Sequence, residues 1–120
     1  AVLSVRFNPA EHGDVREADT FSSTGAKRVT HFVLGSGQEY VAVANQYDGV
    51  SYDVDSALYA WDSAARSLTL AQQIPTSGAY EFTHFTLPLN GAGPGVEDYV
   101  AVANHYGDGP KYAAESKVYR

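Results

Sequence analysis

Two stretches of this chain are nearly the same word. Residues 24–32 read TGAKRVTHF and residues 77–85 read SGAYEFTHF, 53 positions apart. YVAVAN then stands at 40–45 and again at 99–104, an offset of 59. The six extra residues fall in one loop, TLPLNGAGPGVED against VLGSGQE. Ser56, Leu58 and Tyr59 match Ser116, Val118 and Tyr119 at an offset of 60. Backwards, Val5 pairs with Leu58, Val15 with Leu68 and Phe21 with Ile74, all at 53. An ordered series of matches marks an internal repeat, and a repeat limits the chain to architectures made by stacking one small unit.

Each unit of about 53 residues holds four short apolar or alternating runs, in the first full copy 27–34, 39–45, 57–61 and 67–74. Val29, Phe32, Tyr40, Val41, Val43, Leu58, Tyr59 and Trp61 are the β-branched and aromatic types that suit strands. GSGQ, NQYDG, DSAAR and PTSG separate the runs with turn-forming residues. The short stretch from Asp62 to Arg66 reads as a hairpin loop rather than a helix. Four antiparallel strands per unit predict an all-β fold of β-propeller blades. A β-sandwich is the alternative, but it does not require letters to recur at a fixed period. The expected division is 1–26 as the end of a preceding blade, 27–74 as the first full blade and 75–120 as a second, incomplete one.

Composition narrows function. With 8 basic and 14 acidic residues the formal net charge is −6, and such a surface repels nucleic acid and anionic membrane. No stretch approaches the ~18 apolar residues of a membrane-spanning helix. There is no cysteine, hence no disulfide, thiolate metal site or cysteine nucleophile. There is also no methionine, even at position 1, which suggests processing or a cut from something longer. Dinucleotide, P-loop and H-E-x-x-H motifs are absent, as is an N-x-[ST] sequon. Ser56 and Ser116 lack the G-x-S-x-G context of a serine hydrolase.

The string (S/T)GA-x-x-x-T-H-F, then Y-V-A-V-A-N, then Tyr-x-x-x-S-x-Φ-Y-x-W resembles the EAR repeat, also called the epilepsy-associated, epitempin or EPTP repeat. Residues 74–104 carry it most fully, and residues 1–20 match worst, with Arg6 where Tyr59 stands and Asn8 where Trp61 stands. The resemblance implies propeller blades, typically seven to a ring, in secreted and cell-surface proteins that bind other proteins. It implies no catalytic residue. It makes THFVL and FTHFTL the innermost strands, so the chain is expected to begin and end within a blade. Two bare end faces would then call for additional blades or for self-association to close a ring.

Several residues are candidate sites. Tyr47 and Tyr106, with Tyr52 and Tyr112, are repeat pairs in loops and form a candidate rim of aromatic side chains, a residue type favoured at binding hot spots. The expected partner is an unknown receptor or cell-surface protein; a glycan stacked on the same tyrosines is the alternative. His31 and His84 are equivalent, and a ring of them would suit a channel site in an enzyme. Their symmetry favours a structural role, because catalytic sites usually break a repeat. His12 and His105 are not equivalents, so no four-histidine cluster is expected. Asp48, Asp53 and Asp55 lie within eight residues of one loop, and calcium is the one cofactor they suggest, since it takes six to eight oxygens. Their spacing is not that of an EF-hand, and in the second copy Ala113 and Glu115 replace Asp53 and Asp55. Asn45 and Asn104 are expected to close turns at strand ends.

Overall fold

A computed structural model describes residues 2–7, 15–89, 95–109 and 113–120, with side chains from residue 17 onward. The fold is all-β. A two-stranded pair, β1 (Val2–Phe7) and β2 (Val15–Thr20), comes first. A four-stranded antiparallel meander follows: β3 (Ala26–Val33), β4 (Glu39–Asn45), β5 (Asp55–Asp62) and β6 (Ser67–Pro75). The third sheet is β7 (Ala79–Pro88), β8 (Val96–Asn104) and β9 (Lys117–Tyr119). No helix occurs among the described residues. The four apolar runs of the first full copy each become one strand in one sheet, in chain order, as in a propeller blade. Asp62 to Arg66 is the hairpin turn joining β5 to β6; Asp62 Oδ1 accepts the N–H groups of Ala64 and Ala65, and Arg66 takes φ +55°.

Period-two alternation decides what each strand buries. In β4, Tyr40, Ala42 and Ala44 face the third sheet, while Val41 and Val43 face the other way. Val100 and Val102 of β8 point back at them. The core is therefore the seam between the second and third sheets: Phe32, Ala42, Ala44, Ile74, Ala79, Phe82 and Val102 are buried there. Alanines on one side of the seam let the large Phe82 approach closely, so bulk is supplied from the opposite sheet. The molecule is flat, 51 × 46 × 21 Å, and its radius of gyration of 16.2 Å exceeds the ~14 Å of a compact domain this long.

The repeated turn letters have repeated jobs. Gly25 and Gly78 take φ +55° and +53°, and a Cβ there would lie 2.0 Å from the Tyr47 carbonyl oxygen and 2.2 Å from that of Tyr106. Only glycine fits both the backbone angle and the space. Each precedes an irregularity in strand pairing, at Ala26/Arg28 and at Ala79/Glu81. Asn45 Oδ1 accepts the Thr24 N–H at 3.1 Å, and Asn104 Oδ1 accepts that of Ser77 at 3.0 Å. Their amide groups donate to the carbonyls of Asp55 and Glu115. Ser56 and Ser116 accept the N–H groups of Asn45 and Asn104. The final Asn of YVAVAN thus closes the turn that leads into the inner strand and ties it to the third strand.

Candidate functional site

Loops at one end of the two sheets bring three tyrosines together. The Tyr47 and Tyr52 ring centroids are 4.3 Å apart, and those of Tyr52 and Tyr106 are 4.4 Å apart. The row begins in the first repeat and ends in the second. Tyr47 is 38% exposed, and the other two are half-buried. Their positions are fixed by the backbone. The Tyr52 carbonyl accepts from Gly78 N–H at 2.7 Å, and the Tyr52 N–H donates to Asp108 Oδ1 at 2.7 Å. The Tyr47 hydroxyl donates to the Gly49 carbonyl at 2.9 Å. Tyr112 and His12 lie outside the described residues.

Acidic groups border this row. Asp108 Oδ2 also accepts the Ser51 hydroxyl. That hydrogen bond, then the Tyr52 N–H, hold the Asp108 carboxyl below its ordinary pKa. Asp48 Oδ1 accepts the N–H groups of Val50 at 2.8 Å and Ser51 at 2.7 Å, and these bonds, Ser51 first, lower its pKa. Asp48 is thereby used in its own turn. Asp53 and Asp55 instead line a cleft of about 460 Å³ with Asp108, Glu115, Asn104 and Lys117. So Asp53 and Asp55 share a cleft that Asp48 does not line. Among the described residues, no three His, Asp or Glu side chains are grouped as a metal centre needs. Sequence reasoning did not single out Ser51 or Asp108. Asp108 follows Asp48 by 60 positions, the offset of the serine pair, and that match was the available clue.

The histidines sit elsewhere, on the inner strands. His31 Nε2 is 2.9 Å from Glu39 Oε1, and His84 Nε2 is 2.8 Å from Asp98 Oδ1. The two pairs are repeat equivalents. In each, β-pairing sets the histidine opposite a valine, and the carboxylate stands two residues earlier on the same face. Asp98 Oδ2 reaches across the seam to accept the Gly35 N–H at 3.2 Å. The His84 bond, followed by that of Gly35, lowers the Asp98 pKa. The His84 ring lies on Phe32 of the neighbouring sheet, whereas His31 is exposed. Each histidine is engaged within its own sheet. His105 edges toward Tyr80, with ring centroids 5.9 Å apart.

Known proteins point the same way. The thrombospondin-type laminin G domain and EAR repeat-containing protein of Homo sapiens is 34% identical over 70 residues, 58% of this chain and 9% of that protein. The Mus musculus protein of the same name is 31% identical over 70 residues, with the same shares. This chain thus spans about 9% of the length of these curated relatives. No family model and no solved structure matches it. The 53-residue unit, its blade-like sheet and these two relatives agree that the repeat filling this chain is similar to the EAR repeat.

Proposed function

We propose that the chain is a non-enzymatic protein–protein interaction module of EAR type, within an extracellular or cell-surface protein. One observation carries the reading: Tyr47, Tyr52 and Tyr106 form a continuous row of tilted ring contacts across two repeats. Rigid aromatic side chains offer large contact area with little conformational entropy to lose. The row is held by main-chain hydrogen bonds, so it needs little ordering on binding. The polar groups that could serve chemistry, the two histidines, recur symmetrically and are paired with carboxylates. The cellular setting rests on the family resemblance.

A glycan partner is the second reading, favoured by the adjoining cleft. Its carboxylates and amide, with Asp53, Asp55, Asp108 and Asn104 in the lining, are acceptors suited to sugar hydroxyls. Calcium on Asp53 and Asp55 is a separate proposal; a thermal midpoint unchanged between added calcium and a chelator would count against it.

The test is binding of bead-displayed chain to cultured cells. Binding that survives glycosidase but not brief protease treatment of the cells supports a protein partner. The reverse supports the glycan. Tyr47→Ala should weaken binding by about 2 kcal/mol, the size of an interface hot spot, with little change in melting temperature. Unaltered binding by that variant would remove the tyrosine row from the function.

A further inference from the structure

The row of Tyr47, Tyr52 and Tyr106 also has a chemistry of its own. A phenol that loses one electron and its proton becomes a phenoxyl radical, with unpaired spin on the ring carbons ortho to oxygen. Two such radicals held in contact join through those carbons. The Tyr47 and Tyr52 rings have centroids 4.3 Å apart and planes inclined at 30°; for Tyr52 and Tyr106 the values are 4.4 Å and 47°. Both distances are at or below the short end of the ~4.5–7 Å range of aromatic pairs. Tyr52 thus has a second phenol against it on either side. Other tyrosines lie against rings that cannot join in. Tyr40 contacts Phe32, Tyr59 contacts Phe21 and Tyr99 contacts Phe85, while Tyr80 faces His105. A phenylalanine ring carries no hydroxyl and yields no phenoxyl radical.

We propose that Tyr52 is a site of oxidative modification, coupled to Tyr47 or Tyr106 as dityrosine by a peroxidase acting with hydrogen peroxide. Each of the two tyrosines gives up one electron and its phenolic proton, and these reduce one hydrogen peroxide to two waters. One carbon–carbon bond then forms between the ortho carbons. The hydrogen on each of these carbons moves to its own phenol oxygen as the rings regain aromaticity. The protein loses two hydrogen atoms in all. Tyr47 is exposed and the other two are half-buried, so the row is open to an oxidant acting from solvent. Tyr52 is held on both sides of its main chain, by the Gly78 N–H on its carbonyl and by Asp108 on its own N–H, each at 2.7 Å. Fixed contact turns a bimolecular radical encounter into a step within one molecule. A Tyr52–Tyr106 bond would staple the first repeat to the second, in a chain with no cysteine to do so by a disulfide. Coupling needs only the geometry of the row and no partner on it, so it stands or falls apart from the proposed function.

The test treats the chain, at high dilution, with a haem peroxidase and limiting hydrogen peroxide, with free tyrosine in a parallel reaction as the control substrate. Dityrosine fluorescence should grow in material of monomer mass. Peptide mapping by mass spectrometry should find Tyr52 linked to Tyr47 or to Tyr106, with two hydrogen atoms lost per link. Tyr52→Phe keeps the ring and removes the phenol, and should lower intramolecular dityrosine by at least about 10-fold, because the phenols that remain are not held in contact. Tyr47→Phe and Tyr106→Phe should each leave the other link, and the double variant should behave as Tyr52→Phe. Circular dichroism confirms that the variants fold. Material linked through Tyr52 and Tyr106 should also unfold at a higher temperature, since the crosslink restricts the unfolded chain. Three results overturn the proposal: free tyrosine couples while the chain does not, dityrosine forms only between molecules, or Tyr52→Phe leaves the intramolecular yield unchanged.

Discussion

Phe32 of β3 lies almost flat against His84 of β7, with 5.0 Å between ring centroids and 13° between planes. This contact joins the two larger sheets, and His84 is held in place by Asp98. Phe32 is 6% exposed at the seam, while its repeat equivalent Phe85 is half-buried beside Tyr99. Phe32→Ala should cost about 3–5 kcal/mol, as for a buried phenylalanine. Phe85→Ala should cost clearly less. Urea denaturation of the two variants measures the difference, and equal losses would contradict the seam described here.

The two glycines before the inner strands should tolerate no side chain. Gly25→Ala and Gly78→Ala each place a Cβ about 2 Å from a main-chain oxygen. A loss of about 1–3 kcal/mol is expected for each, from positive φ and crowding together. Gly37→Ala also meets a positive φ, +91°, but nothing lies within 4 Å of its Cβ, so its loss should be smaller. Thermal unfolding of the three variants ranks them.

Acid should loosen the seam. Asp98 has a lowered pKa through His84 and Gly35. Its stabilising contribution is therefore complete above the unfolded carboxylate value of about 3.9 and is lost as pH falls through the lower folded value. Asp48 and Asp108, also lowered, act in the same window. The denaturation midpoint should fall as pH drops from about 4 to 2, and Asp98→Asn should flatten part of that fall. Midpoints measured at several pH values for both proteins check this; parallel curves would count against the Asp98 bond.

The buried asparagine should matter more than its half-buried twin. Asn45 is 5% exposed and bridges Thr24 and Asp55, so Asn45→Ala empties a buried site and leaves a part-buried donor and acceptor without it, at about 1 kcal/mol or more. Asn104 makes the same bonds on the half-open sheet, where water can replace them. Asn104→Ala should be the milder change by chemical denaturation.

Much of the fold was legible in the letters. The period, the four strands of the first full copy and the turn roles of Asn45 and Asn104 follow from local chemistry: alternation, β-branched residues, and amides that close turns. The candidate rim was legible in part. Tyr47 and Tyr106 were visible as a repeat pair, but their contact through Tyr52 depends on Ser51 and Asp108 crossing between repeats. Likewise the spacing of Asp48, Asp53 and Asp55 suggested one ligand group, yet a local turn takes Asp48 to its own N–H groups.

What the letters could not distinguish is YVAVAN from YVAVAN. The same six residues bury Ala42 and Ala44 in one sheet and leave Ala103 exposed in the other. Sequence determined which side chains share a face, because strand alternation is a local property. Tertiary structure alone decided which face is covered, because burial belongs to the neighbour that arrives and not to the residue itself.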